Sequence, residues 1–361
     1  MRVYAGRVEA SGATTGRGFT STTEITEMQH NEPIFRLPPL AVETTYRSLS
    51  ETIDWGLSMV GVPEQWQQTR GQGIRVAVLD TGIDENHVDL AEAIDDARDF
   101  TRSRSGPIDK QGHGTHVAGT IAARQNDVGV IGVAPECRLL VGKVLGDDGS
   151  GTAAGVAAGI DWACDSGAQI ISMSLGSARS SEVIHAAIVR ATEKGRFVIC
   201  AAGNDGRPSS VNYPGRWSNT IAVAAVDRSG RVTRFSSRGA EVDVSAPGQD
   251  VLSTYLNGGY AKLSGTSMAA PMVAGVVTLM LSKHVNHGGR TPVTNTHQLR
   301  EHLRRTSTDA GPRGHDPAYG WGLINPASML RGGDGAAGSE LSIGPLQVNG
   351  IEGALVFVPE E

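Results

Sequence analysis

The strongest constraint on the fold is a succession of short, almost unbroken apolar runs separated by longer helix-like stretches. IRVAVLD (74–80), RLLVGKVL (138–145), AQIISMSL (168–175), RFVICAAG (196–203) and TIAVAAV (220–226) are mostly rich in Val and Ile and lack polar alternation. Such runs suit strands buried on both faces. Between them, THVAGTIAARQ (115–125), GTAAGVAAGIDWACDSG (151–167) and SSEVIHAAIVRATEKG (180–195) read as helices, two of them closed by glycine. The alternation predicts an α/β fold with a mostly parallel central sheet and helices on both faces. SMAAPMVAGVVTLMLSKH (267–284) is apolar on nearly every face and predicts an enclosed helix, whereas QLREHLRRTS (298–307) predicts a surface one.

A chain of 361 residues suits one large domain or two smaller ones. Its 47 glycines form no repeat and are better explained by tight strand-to-loop junctions. With 32 basic and 38 acidic residues and no basic stripe, no nucleic-acid partner is expected. No apolar run approaches the roughly 18 residues of a membrane span, so no membrane is expected either. The start, MRVYAGRVEASGATTGRG, lacks an apolar segment of the signal-peptide kind. Cys137, Cys164 and Cys200 are too few for a disulfide framework. The expectation is a reducing, cytoplasmic location, with secretion as the alternative if the chain is cut from a longer precursor.

Residues 1–50 form a polar N-terminal extension, interrupted only by the apolar, proline-containing run from Ile34 to Leu40, which favours an extended conformation. Residues 51–330 carry the periodic pattern of the main domain, and 331–361 read as a Gly-rich linker and a short apolar tail.

Four segments carry candidate chemistry. In DTGIDENHVDL (80–90), Asp80 ends an apolar strand, at the sheet edge where α/β proteins place their sites; alone, a turn or helix cap explains it better. In GHGTHVAGT (112–120), His113 lies between glycines ahead of a helix, with His116 three residues on. That spacing, without an adjacent Glu, does not match a zincin helix. In SGTSMAAP (264–271), Ser267 stands at a helix start, where free N–H groups can stabilise an anion or a plain N-cap. Pro271 lies near enough to that start for its missing N–H to be expected to cost little. Asn204, in CAAGNDG (200–206), follows a strand and by itself reads as a turn residue.

Taken together, Asp, His and Ser in that chain order match one of the known triad orders. VAVLDTGID, HGTHVAGT and GTSMAAP resemble the three signature motifs of the subtilisin-like serine proteases, over roughly residues 52–329. The resemblance implies a three-layer α/β fold and a serine endopeptidase acting on peptides or proteins. Asp80 would orient the imidazole, His113 act as base and then acid, Ser267 as nucleophile, and Asn204 as oxyanion donor. Gly149, Ser150 and Gly151, with Ser174, Leu175 and Gly176, would pair with an extended substrate. DDGSGT (147–152) lies too deep in the chain for a dinucleotide loop. Ala201, Ala202 and Gly203 would wall the pocket for the residue before the scissile bond. A structural Ca²⁺ site is implied at the Asp89 carboxylate, the Asn126 side chain and the carbonyls of Arg124, Val128 and Val130, with a weaker cation site near Gly215, Trp217 and Asp243. No cofactor is implied for catalysis. Four competent residues argue against a binding protein on an inactive scaffold, while a peptide ligase remains an alternative. Met272 departs from the family, many members having His there. The short extension resembles that of intracellular subtilisins, and FRLPPL (35–40) resembles their segment that crosses the active site as a short propeptide.

Overall fold

The structure, a computed structural model, describes residues 32–38, 41–47, 49–286 and 293–331. Most of the extension and the linker and tail therefore lie outside the described residues. Elements run in the order β1 (Ile34–Arg36), β2 (Ala41–Tyr46), α1 (Trp55–Met59), β3 (Arg75–Asp80), β4 (Ile94–Asp99), α2 (His113–Ala122), β5 (Arg138–Lys143), β6 (Ser150–Thr152), α3 (Ala153–Asp165) and β7 (Ile170–Met173). They continue with α4 (Glu182–Glu193), β8 (Phe197–Ala201), β9 (Ile221–Val226), β10 (Val242–Pro247), β11 (Val251–Tyr255), β12 (Gly259–Ser264), α5 (Thr266–Asn286), α6 (Thr296–Thr306) and α7 (Pro326–Arg331).

Seven strands form one sheet in the order β10-β9-β8-β7-β3-β5-β4, every neighbouring pair parallel. Period-two geometry explains the two cores. From β3, Val76 and Val78 face a core shared with Val117 and Ile121 of α2 and Val273 and Val277 of α5. Ala77 and Leu79 face the opposite core, with Ile160 of α3 and Ile188 of α4. This is the three-layer α/β architecture expected from the sequence. Each large aliphatic side chain so enclosed stabilises the fold by about 1.5–3 kcal/mol relative to exposure.

Beside the main sheet, β11-β12-β2 form an antiparallel sheet, and β1 pairs antiparallel with β6. Strand β4, IDDARD, was not anticipated because it is polar. It is an edge strand whose Asp95 takes Nε of Arg75 at 3.0 Å and of Arg138 at 2.6 Å, and such charges blunt an open edge.

Helix α5 is the enclosed helix that the sequence predicts, but it differs from expectation in its apolar length and in where its proline falls. It is long and apolar enough to cross a membrane by length and composition, yet 83% of its most apolar stretch is buried inside the protein. It is the central core helix. Pro271 is also further into the helix than the sequence suggested, since α5 begins at Thr266. A residue there would donate its N–H to the carbonyl of Ser267. Proline cannot, and that carbonyl instead accepts from Ser174 Oγ at 3.0 Å.

Candidate active site

Asp80 is the last residue of β3, between β5 and β7, where successive connections leave to opposite sides of the sheet. Clefts open at the carboxyl ends of strands at such a point. The Asp80 side chain is fully buried, and its Oδ1 accepts from the Thr81 N–H at 2.8 Å and faces His113 Nδ1 at 2.7 Å. With Nδ1 donating to the carboxylate, the lone pair lies on Nε2, which is buried and has no hydrogen-bond partner among the described residues.

His113 opens α2 behind Gly112, whose φ of 86° is left-handed and whose Cα faces the Tyr255 ring so closely that a Cβ would collide with it. Asp109 fixes this helix start. Its Oδ1 accepts from the N–H groups of Gln111 and Gly112 and from Thr81 Oγ1, each at 2.9 Å. Its Oδ2 accepts from Thr115 N–H at 2.9 Å and Thr115 Oγ1 at 2.8 Å. One buried carboxylate thus ties the residue after Asp80 to the helix that carries His113. Sequence reasoning missed it, because a lone Asp in PIDKQG carries no motif. His116 turns away from the site, its Nε2 donating to the Val251 and Ala261 carbonyls at 3.0 and 3.1 Å. Burial, with His113 nearby, lowers its pKa to about 3, so it stays neutral.

Ser267, the second residue of α5, is fully buried, and α5 packs on α2 across the main core. Its Oγ lies 3.5 Å from the Ser174 carbonyl. Asn204 follows β8, and its Oδ1 accepts from both N–H and Oγ1 of Thr266, at 2.9 and 2.8 Å. That anchor aims the amide nitrogen the other way, beside Gly265, where a Cβ would approach Nδ2 to 2.9 Å. Ala201, Ala202 and Gly203 are buried at the end of β8. Leu175 is also buried, so it can offer only its backbone to the cleft.

The extension occupies these edges. Arg36 and Gly176 exchange backbone hydrogen bonds of 3.1 and 2.9 Å, and Leu37 N–H donates to the Gly149 carbonyl at 3.1 Å. Phe35 pairs with Gly151 and is fully buried in the core shared by α3 and α4. Beyond the prolines, β2 pairs with β12 from Ala41 opposite Ser264, three residues before Ser267. Pro38 is buried, while Pro39 and Leu40 lie outside the described residues.

Around the implied calcium loop, Asp89 is fully buried and its carboxylate accepts from Asn126 Nδ2 at 3.1 Å and Val130 N–H at 3.0 Å. Among the described residues it has no cationic partner. The Arg124 N–H donates to the Asp89 carbonyl at 2.8 Å, and Val128 N–H to Asn126 Oδ1 at 3.2 Å. Glu51, which the sequence gave no reason to single out, accepts from the N–H groups of Asn126 and Asp127, both at 2.9 Å. The region suggested for a weaker cation holds a guanidinium instead. Arg300 donates to Asp243 at 2.5 Å and to the carbonyls of Ser218 and Thr220 at 3.2 and 2.7 Å. Burial pushes the Asp243 carboxyl up, against the pull of that arginine.

The sequence model of the Subtilase family matches residues 71–322. The chain belongs to the subtilase family. It is 44% identical over 279 residues to the thermostable alkaline protease of Halalkalibacterium halodurans, covering 77% of this chain and 73% of that one. It is 41% identical over 283 residues to subtilisin BL of Lederbergia lenta, covering 78% of this chain and all of the relative, and equally so to subtilisin Savinase of the same organism. This subtilase is accordingly a serine endopeptidase, a hydrolase of peptide bonds in peptides or proteins. The cytoplasmic expectation is corrected by the same relatives, which are alkaline subtilisins of the secreted, extracellular kind. That expectation is read from residues 1–18 and from the three cysteines, and the likeness of the folded domain to these relatives outweighs both.

Proposed function

We propose that this subtilase cleaves peptide bonds with Asp80, His113 and Ser267, that Asn204 and the Ser267 N–H receive the oxyanion, and that residues 1–50 act as a short propeptide on a catalytic domain of residues 51–330. The observation that carries the reading is the 2.7 Å contact between Asp80 and His113 Nδ1, with a buried Nε2 on the other side of the ring that no described residue pairs with. As Ser267 Oγ adds to the scissile carbonyl, its proton passes to Nε2. That proton goes on to the amine as the C–N bond breaks, leaving an ester on Ser267, and a water deprotonated in the same way hydrolyses it. Asp80 stays ionised and stabilises the imidazolium. The anchored Asn204 amide supports a donor preset for the developing negative charge. Gly149, Ser150 and Gly151, with Ser174, Leu175 and Gly176, hold the substrate backbone by strand addition, as β1 is held now. Ala201, Ala202 and Gly203 leave space for the side chain before the scissile bond.

Asp89 and Asn126, with the carbonyls of Arg124, Val128 and Val130, would supply the hard oxygens that a structural Ca²⁺ takes, and the buried Asp89 carboxylate has no cationic partner among the described residues. The bound ion would cross-link two loops and take no part in the chemistry. A fluorophosphonate probe tests the central claim: the protein should be labelled once, at Ser267, and Ser267→Ala and His113→Ala should both lose the label. Labelling that survives either substitution would sink the assignment.

A further inference from the structure

Beside Asn204 and Ser264 lies an open cavity of about 720 Å³, lined also by Arg231, Val232, Arg234 and Phe235. It sits on the downstream side of the cleft, since β1 fills the upstream edges and β2 continues past Ser264. Its charge is distinctive. Asp227 pairs with Arg231 at 3.5 Å, but the exposed side chain of Arg234 makes no hydrogen bond or ion pair among the described residues. The chain's own strand brings Glu43 to the same cavity, where Glu43 Oε1 accepts from Ser264 Oγ at 3.3 Å. With Glu43 withdrawn, two arginines face one aspartate there.

We propose that this cavity selects peptides with an acidic side chain on the leaving-group side of the scissile bond, with Arg234 as the selecting residue. The inference rests on the reading of Ser267 as nucleophile. An exposed carboxylate near an exposed guanidinium gains little, and a lysine in its place loses about as much, so the expected preference for Glu over Lys is about fivefold in kcat/KM. The pairing is solvent-exposed, so about 1 M salt should compress the preference towards one.

The protein, cut beyond Tyr46 and diluted so that Glu43 leaves the cavity, with active serine counted by fluorophosphonate on a separate aliquot, is assayed on quenched peptides of one upstream sequence carrying Glu, Gln or Lys at each of the first four downstream positions. At one or more positions Glu should be preferred about fivefold over Lys, Arg234→Gln should bring the ratio near one, and Arg234→Glu should invert it. A ratio within about twofold of one at every position, or one that Arg234→Glu leaves unmoved, overturns the proposal. Failure of the underlying reading looks different: Ser267→Ala would then cleave the whole series.

Discussion

At the residue scale, Ser174 and Pro271 form a functional pair although they lie on different elements. Proline leaves the Ser267 carbonyl without its helical donor, and the Ser174 hydroxyl takes its place at 3.0 Å. Ser174→Ala therefore orphans a buried carbonyl at the start of α5, with a cost of about 1–3 kcal/mol. For a domain of this size that lowers the unfolding temperature by several degrees, readable by calorimetry on Ser267→Ala protein to prevent self-digestion. Pro271→Ala in the same background should restore part of the loss by supplying the missing N–H, and a double variant no better than Ser174→Ala alone would refute the pairing. The motif residues Asp80, His113, Asn204 and Ser267 were legible in sequence because each stands at the junction of a periodic segment and a glycine-bearing turn. Asp109, Glu51 and Arg300 were not. Each acts through neighbours brought close only by the fold, and a lone charged residue in a polar loop or on an exposed helix carries no periodic signal.

At the scale of elements, β3, β5, β7, β8 and β9 were readable because burial on both faces forces apolarity at every position. The edge strand β4 and the β11-β12 hairpin were not, since β4 is mostly charged and the hairpin mixes Ser253, Thr254, Lys262 and Ser264 among its apolar residues. Helix α2 begins at His113, two residues before its apolar stretch, because Asp109 supplies acceptors for its first N–H groups. The extension yields the next prediction. With β1 in the cleft, full-length protein should be nearly inactive until cut between Tyr46 and Trp55, and N-terminal sequencing of protein gaining activity should find a new terminus in that interval. Full activity of the uncut chain would show the extension to be no inhibitor. The Asp89 loop is a separate element. Chelation should shorten the half-life of the enzyme and leave its initial rate nearly unchanged, and Asp89→Asn should reproduce that. An ion binding only the native state adds about 2.7 kcal/mol at a hundredfold excess over Kd; an unfolding temperature indifferent to both calcium and chelator would refute the site.

For the whole molecule, buried His116 makes stability depend on pH. Its pKa is lowered to about 3 by burial, whereas the unfolded chain takes up that proton below about 6.5. The unfolded state therefore binds more protons across that window. The contribution is complete above about pH 6.5 and falls by about 1.4 kcal/mol per unit as pH drops towards the native value. Asp54 works in the opposite sense: burial raises its pKa from 3.8 to about 6, so the native state holds an extra proton there and gains stability as pH falls through that interval. Urea unfolding of Ser267→Ala protein, with and without His116→Gln, separates the two. The variant should be less stable at pH 8 and close the gap progressively in acid, and a gap independent of pH would exclude His116 as the titrating group.

The strand pairing of β1 also has a kinetic meaning. While it remains covalently attached, Arg36 and Leu37 meet Gly176 and Gly149 as an intramolecular ligand, at an effective concentration on the order of millimolar. A free substrate of micromolar affinity should be outcompeted as long as that tether holds. One cut beyond Tyr46 turns the same contacts into a bimolecular equilibrium, and dilution alone then empties the cleft. Peptide fragments should slow the cut enzyme in concentrated solution and lose their hold on diluting it, which would place the commitment to activity in a single backbone bond.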